Sequence, residues 1–209
     1  MPRRYSMVNR ARMTARTHAA IEMALVRLLA TRHYDAISMT GIAEEADVSV
    51  RTVQRHFRTK GELLAAAVRY PTEAISEELS KRTPGQSARE DMQSLVAALF
   101  AVYSRHRPEI WAIYTRSAQV PELMRAQLAG GVVWLSSVDA LMARWSDRCA
   151  IDPLLAKRAI VALTSYPAWR GLAGAGGFGS PEAEALVTKL LCDFIFGPGE
   201  GTQSGERLT

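Results

Sequence analysis

Residues Ser38 to Lys60 read SMTGIAEEADVSVRTVQRHFRTK, and this stretch decides the fold. Ser38 and Ser49 each stand where a helix cap belongs, so the spacing predicts one short helix ending near Ala46 and a second running to about His56. Ile42 and Ala43 fall on the inner face of the first helix, and Val53 and Phe57, four apart, share the inner face of the second. Ala46 is small where the two helices must approach, and Val48 plugs the turn between them. Arg51, Thr52, Gln54, Arg55 and His56 are left outward or sideways. A helix with that polar, basic outer face can enter the DNA major groove with its first residues nearest the bases.

The flanking sequence agrees. A preceding helix carries Ile21, Ala24, Leu25 and Leu28 on one face. A following helix begins at Thr59, which with Glu62 has capping-box spacing, and turns Leu63, Leu64, Ala67 and Val68 inward. Pro71 bends or interrupts that helix. Charge is concentrated in the same region: residues 1–60 hold 11 Lys/Arg against 5 Asp/Glu, whereas the whole 209-residue chain carries only +5. A polyanionic partner at the N-terminal end follows.

Ala36 to Leu64, with the helix before it, resembles the DNA-binding domain of the tetracycline-repressor (TetR) family. The matching positions are Ile42-Ala43, Ala46, Val48-Ser49, Thr52, His56-Phe57, and Lys60 followed by Leu63. The resemblance covers roughly residues 14–70. It implies an all-α homodimer of about nine helices per subunit, with a helix-turn-helix head and a larger helical body for ligand binding and dimerisation. Three positions depart from the family pattern: His33 and Asp47 replace glycines expected at positive φ, and Gln54 stands where tyrosine is usual.

The resemblance assigns DNA contacts to Thr40, Ser49, Arg51, Thr52, Gln54, Arg55, His56 and Lys60. Thr40 lies in a first helical turn, where hydroxyl and free N–H groups meet a phosphate. Ser38 suits a cap better than a contact, and Ser49 suits a cap first and a contact second. Gln54 can bond a phosphate or read adenine's N6/N7 edge, Arg55 can meet base or backbone, and Lys60 resembles the family's phosphate-clamping lysine. Arg3, Arg4, Arg10, Arg12 and Arg16 form a basic arm that either follows the minor groove or is disordered.

The chain is expected to divide into a basic flexible arm (1–13), the DNA-binding domain (14–70), a ligand-binding and dimerisation body (71–196) and a disordered tail (197–209). The body reads as helices opened by Pro108, Pro121, Pro153 and Pro181, with a loop at Pro84-Gly85 and a flexible glycine-rich connection from Gly171 to Gly179. Its aromatic residues are pocket or ordinary core; Tyr103, Trp111, Tyr114 and Trp134 are the pocket candidates for a hydrophobic small-molecule effector. Leu163, Leu186, Leu190 and Phe194 are candidates for a homodimer interface, because Val187, Leu191 and Ile195 supply a second stripe for the subunit's own core.

No metal-ligand spacing, phosphate loop, dinucleotide fingerprint or nucleophile elbow occurs, which argues against an enzyme and against a metal or cofactor. Cys149 and Cys192 suit small apolar positions rather than a disulfide. No signal core follows the basic N-terminus and no uninterrupted apolar run reaches membrane length, so a cytoplasmic address is expected. The function expected is a ligand-responsive transcriptional repressor binding a palindromic double-stranded DNA operator. The alternatives are an architectural DNA-binding protein without a ligand or, more remotely, an enzyme.

Overall fold

The structure is a computed structural model that describes residues 3–175 and 179–198. Among these residues there are ten α-helices and no strand. They are α1 (Arg3–Thr31), α2 (Met39–Glu45), α3 (Val50–His56), α4 (Lys60–Ser80), α5 (Ala88–Arg105), α6 (Arg107–Arg116), α7 (Pro121–Trp145), α8 (Pro153–Leu163), α9 (Tyr166–Arg170) and α10 (Ser180–Phe196). The all-α expectation holds. Both cysteines are free.

Helix boundaries follow local chemistry. Asp152 accepts the Leu155 N–H ahead of Pro153, Ser87 accepts that of Glu90, and the Glu182 carboxylate takes the Gly179 N–H at 2.6 Å. Two stretches differ from the sequence reading. The basic segment expected as a flexible arm is helical from Arg3, since its Arg, Ala and Met residues favour helix and no Gly or Pro interrupts it after Pro2. Gly171–Ala175, expected as a flexible connection, forms a single π-helical turn directly after α9. Residues 176–178, and the tail beyond 198, lie outside the described residues.

The chain forms two compact units. One comprises the chain up to Tyr70 with Pro108–Leu128; the other comprises Pro71–Arg107 with the chain from Ala129 onward. The first division falls inside α4, at Pro71. Residues 108–128 join the first unit instead of the body, because Ala112, Ile113, Val120 and Leu123 are buried in its core. That core is otherwise built from Ile21, Leu25 and Leu29 of α1, Ile42 of α2, Val53 of α3, and Leu63 and Leu64 of α4, all fully buried.

In the second unit α10 packs along α5, placing Val187, Leu191 and Ile195 in a core with Leu95, Val96 and Leu99. The loop before α5 is closed by Asp91. Its carboxylate accepts from the Gly85 N–H at 2.5 Å, Arg144 at 2.5 Å and the Trp145 indole at 2.7 Å. Pro121–Arg148 is long and apolar enough to cross a membrane by length and composition, with mean hydropathy 1.3 over its most apolar window. A search for uninterrupted apolar runs misses it, since such a window tolerates isolated charges. Its burial is one-sided: Val138, Leu141 and Trp145 are buried, while Val132 and Leu135 are exposed.

Candidate nucleic-acid interface

Helices α2 and α3 are joined by a tight turn between two side-chain caps. Ser38 caps α2, accepting the Gly41 N–H at 3.0 Å. At the far end the Val48 N–H reaches the Ala43 carbonyl at 3.0 Å. Asp47 between them takes φ 53°, the left-handed conformation its position demands. Ser49 caps α3, accepting the Thr52 N–H at 3.1 Å, and its hydroxyl lies 2.9 Å from that of Thr52. Both serines are therefore caps, and the Thr52 hydroxyl is engaged locally. His33 does not share the strain expected of it: its φ is −68°, ordinary extended backbone leading into a short turn at Tyr34–Ala36.

Burial of Val53 and Phe57 fixes the roll of α3. Arg51, Gln54 and Arg55 are consequently exposed, Thr52 and His56 half-buried, and Thr40 exposed in the first turn of α2. The second helix is thus anchored by its apolar stripe and leaves a cation in its first turn and an amide one turn further facing solvent.

The sequence model described as "Bacterial regulatory proteins, tetR family" matches residues 23–67, the stretch just described. The head is therefore similar to the DNA-binding region of the TetR family. The HTH-type transcriptional repressor KstR of Rhodococcus jostii (strain RHA1) is 35% identical over 72 residues. That aligned stretch spans 34% of this chain and 34% of KstR, so about a third of the curated relative's length is matched. Among solved structures, the chain is similar in fold to the SmeT–triclosan complex, with TM-score 0.68, 18% identity, and coverage of 92% of this chain and 99% of that one. It is similar also to native NalD, the secondary repressor of the MexAB-OprM multidrug efflux pump in Pseudomonas aeruginosa, with TM-score 0.66, 19% identity, and coverage of 88% and 99%.

Around this head, three sets of contacts emerge that the sequence did not reveal. Lys60 Nζ donates to the carbonyls of Tyr34 at 2.6 Å and Ile37 at 2.8 Å, and lies 4.1 Å from the Tyr34 ring centroid. Two of its three donors are thus committed within the head before any phosphate is met. His18 of α1 sits 4.4 Å from the Phe57 ring and 5.7 Å from the His56 ring. Burial, then the neighbouring His18 and Arg55, hold the His56 imidazole below its ordinary pKa. Arg27 clips α1 to the end of α2 through the Glu45 carboxylate at 2.6 Å and carbonyl at 3.1 Å. A sequence signal existed for His18, which precedes Ile21 and Leu25 at helical spacing on the inner stripe. None existed for the lysine's carbonyl partners, which are set by the path of a loop.

The four pocket candidates fall into the two units separately. In the second, Tyr103 is buried with its hydroxyl donating to the Thr164 carbonyl at 3.1 Å, and the Trp134 indole donates to the Thr164 hydroxyl at 3.1 Å. Burial raises the Tyr103 phenol well above its ordinary pKa, so it stays neutral. In the first, Trp111 is half-buried and Tyr114 is 45% exposed. Of the dimer candidates, Leu190 and Phe194 of α10 are 49% and 51% exposed, and Leu163 of α8 and Leu186 of α10 are half-buried.

Proposed function

We propose that the protein is a ligand-responsive, DNA-binding transcriptional repressor, acting as a homodimer on a palindromic operator and released by a small apolar or aromatic effector. The observation that carries this reading is the disposition of α3. Its apolar residues are buried, its N-terminus is capped by Ser49, and Arg51, Gln54 and Arg55 face solvent. The relatives support it: KstR is named a repressor, NalD is described as a secondary repressor, and SmeT is described in complex with triclosan. Dimerisation is supported by the exposed apolar residues of α8 and α10, where Leu154, Leu155, Leu190 and Phe194 share helices that pack on each other. A two-fold dimer presents the same reading helix twice, which calls for a palindromic site with half-sites about 34–36 Å apart or a multiple of it.

The test is selection of bound duplexes from a random library. Enrichment of two-fold symmetric sites is expected; recovery of an unenriched pool would contradict sequence-specific binding. For the effector arm, triclosan is a concrete first probe. A ligand of the native state raises the melting temperature by mass action, and a coupled one also lowers operator affinity. A molecule that stabilised the protein yet left operator binding untouched would be a ligand without regulatory coupling.

A further inference from the structure

The N-terminal half of α1 is a basic helical segment outside the helix-turn-helix. No acidic residue precedes Glu22, while Arg3, Arg4, Arg10, Arg12 and Arg16 all do. Arg10, Arg12 and Arg16 are exposed, and among the described residues none is in an ion pair. Exposed arginines elsewhere divide: Arg27 pairs with Glu45, Arg105 with Glu78 and Arg125 with Glu122, whereas Arg51 and Arg55 of α3, like Arg10, Arg12 and Arg16, have no ion pair among the described residues. The segment is also not a tether. It is continuous helix with the part of α1 that forms the head's core, and His18 pins it against Phe57 and His56 at the end of the reading helix.

One face of this segment, from Arg10 past Thr14 to His18, forms a shallow groove of about 680 Å³ floored by the small residues Ala11, Ala15 and Ala19 and ended by Glu22. At ~1.5 Å per residue, Arg10 lies about 12 Å beyond His18 along the helix axis. A helix about 10–12 Å across does not fit a minor groove about 6 Å wide. The rigid extension therefore has the sugar–phosphate backbone, not base edges, as its target on duplex DNA.

We propose that residues 10–18 of α1 form a rigid phosphate-gripping element, held at a fixed angle to α3 by His18, which adds affinity to duplex DNA without adding sequence preference. This rests on the DNA-binding reading above. Neutralised phosphates release counterions, so each lost contact flattens the dependence of log affinity on log salt by ~0.9.

The experiment compares wild type with two variants on the selected duplex and on a scrambled duplex, across a series of salt concentrations. The first variant is Arg10→Gln/Arg12→Gln/Arg16→Gln; the second is Ala15→Pro, which keeps every charge but breaks the helix at an exposed position. Thermal melting verifies that both heads fold. The triple variant is expected to bind both duplexes at least tenfold more weakly, with a slope shallower by up to about 3 per subunit and an unchanged ratio between the duplexes. Ala15→Pro is expected to lose affinity on both duplexes as well. An unchanged slope in the triple variant, with wild type binding normally, overturns the proposal while leaving the DNA-binding reading intact. Wild-type affinity in Ala15→Pro overturns the rigid element in favour of a flexible arm. Failure of the wild type on every duplex overturns the reading and the proposal together.

Discussion

The ammonium of Lys60 is bonded to the backbone carbonyl of Tyr34 at 2.6 Å while standing 4.1 Å from the centre of the same residue's ring. With the Ile37 carbonyl at 2.8 Å, this ties the first turn of α4 to the loop that delivers α2. One N–H remains for a phosphate. Lys60→Met is expected to lower stability by about 1–3 kcal/mol, since two half-buried carbonyls lose their charged donor. It should also flatten the salt dependence of DNA binding by ~0.9. Chemical denaturation and salt-titrated binding separate the two effects; a stability loss with no change in slope would make the residue a tether only.

Gly85 and Asp91 form the equivalent fastening in the second unit. A Cβ on Gly85 would stand 2.6 Å from the Glu90 Cβ and 3.0 Å from the Asp91 backbone nitrogen, neither able to swing away. Gly85→Ala should therefore cost about 1–3 kcal/mol through overpacking. Asp91→Ala should cost more, about 3–5 kcal/mol, because it strips the acceptor from the buried Trp145 indole and from Arg144. Urea denaturation measures both; near-wild-type midpoints would show that the loop is not held by this carboxylate.

Leu190→Glu places a charge in the exposed apolar stripe of α10, where Leu190 and Phe194 are 49% and 51% exposed. Sedimentation at micromolar concentration is expected to give a dimer for wild type and a large monomer fraction for the variant. Leu191→Glu, by contrast, buries its charge in the subunit's own core and should prevent folding. A monomeric wild type would remove α10 from the interface.

His56 is held below its ordinary pKa by burial, by His18 and by Arg55, with Glu22 facing His18 at 3.4 Å. The native head therefore binds this proton less readily than the unfolded chain. The stabilisation is present above about pH 6.5 and is lost as pH falls from there through the lower native value. A proton-NMR titration should place the His56 midpoint below the ordinary histidine value. His18→Gln should move it upward. A midpoint at or above the ordinary value in wild type would contradict the geometry.

The head was legible because its constraints are local. Caps at Ser38 and Ser49, a turn at Asp47 and apolar residues four apart at Val53 and Phe57 each leave a mark in neighbouring letters. The two stripes of α10 were legible for the same reason, since 3.6-residue periodicity separates Leu191 from Leu190. The grouping of residues 108–128 with the head was not, because α6 enters that core through contacts distant in sequence. The aromatics divided unpredictably: a tryptophan's type does not say whether its indole meets Thr164, as Trp134's does, or half-faces water, as Trp111 does. The glycine-rich stretch misled in part, since Gly171 opens a helical turn despite glycine's poor propensity.

On the proposed function α3 reads bases, and Arg51, exposed in its first turn, reads one of them. Its forked donors match guanine O6 and N7. The direct measurement is a binding titration of wild type and Arg51→Ala against a duplex library carrying every base at each operator position. The expected result is a loss of about 1–3 kcal/mol per half-site with preference relaxed at one position and retained elsewhere. A uniform loss with unchanged base preference would contradict it, making Arg51 a backbone anchor and leaving Gln54 and His56 to read the sequence.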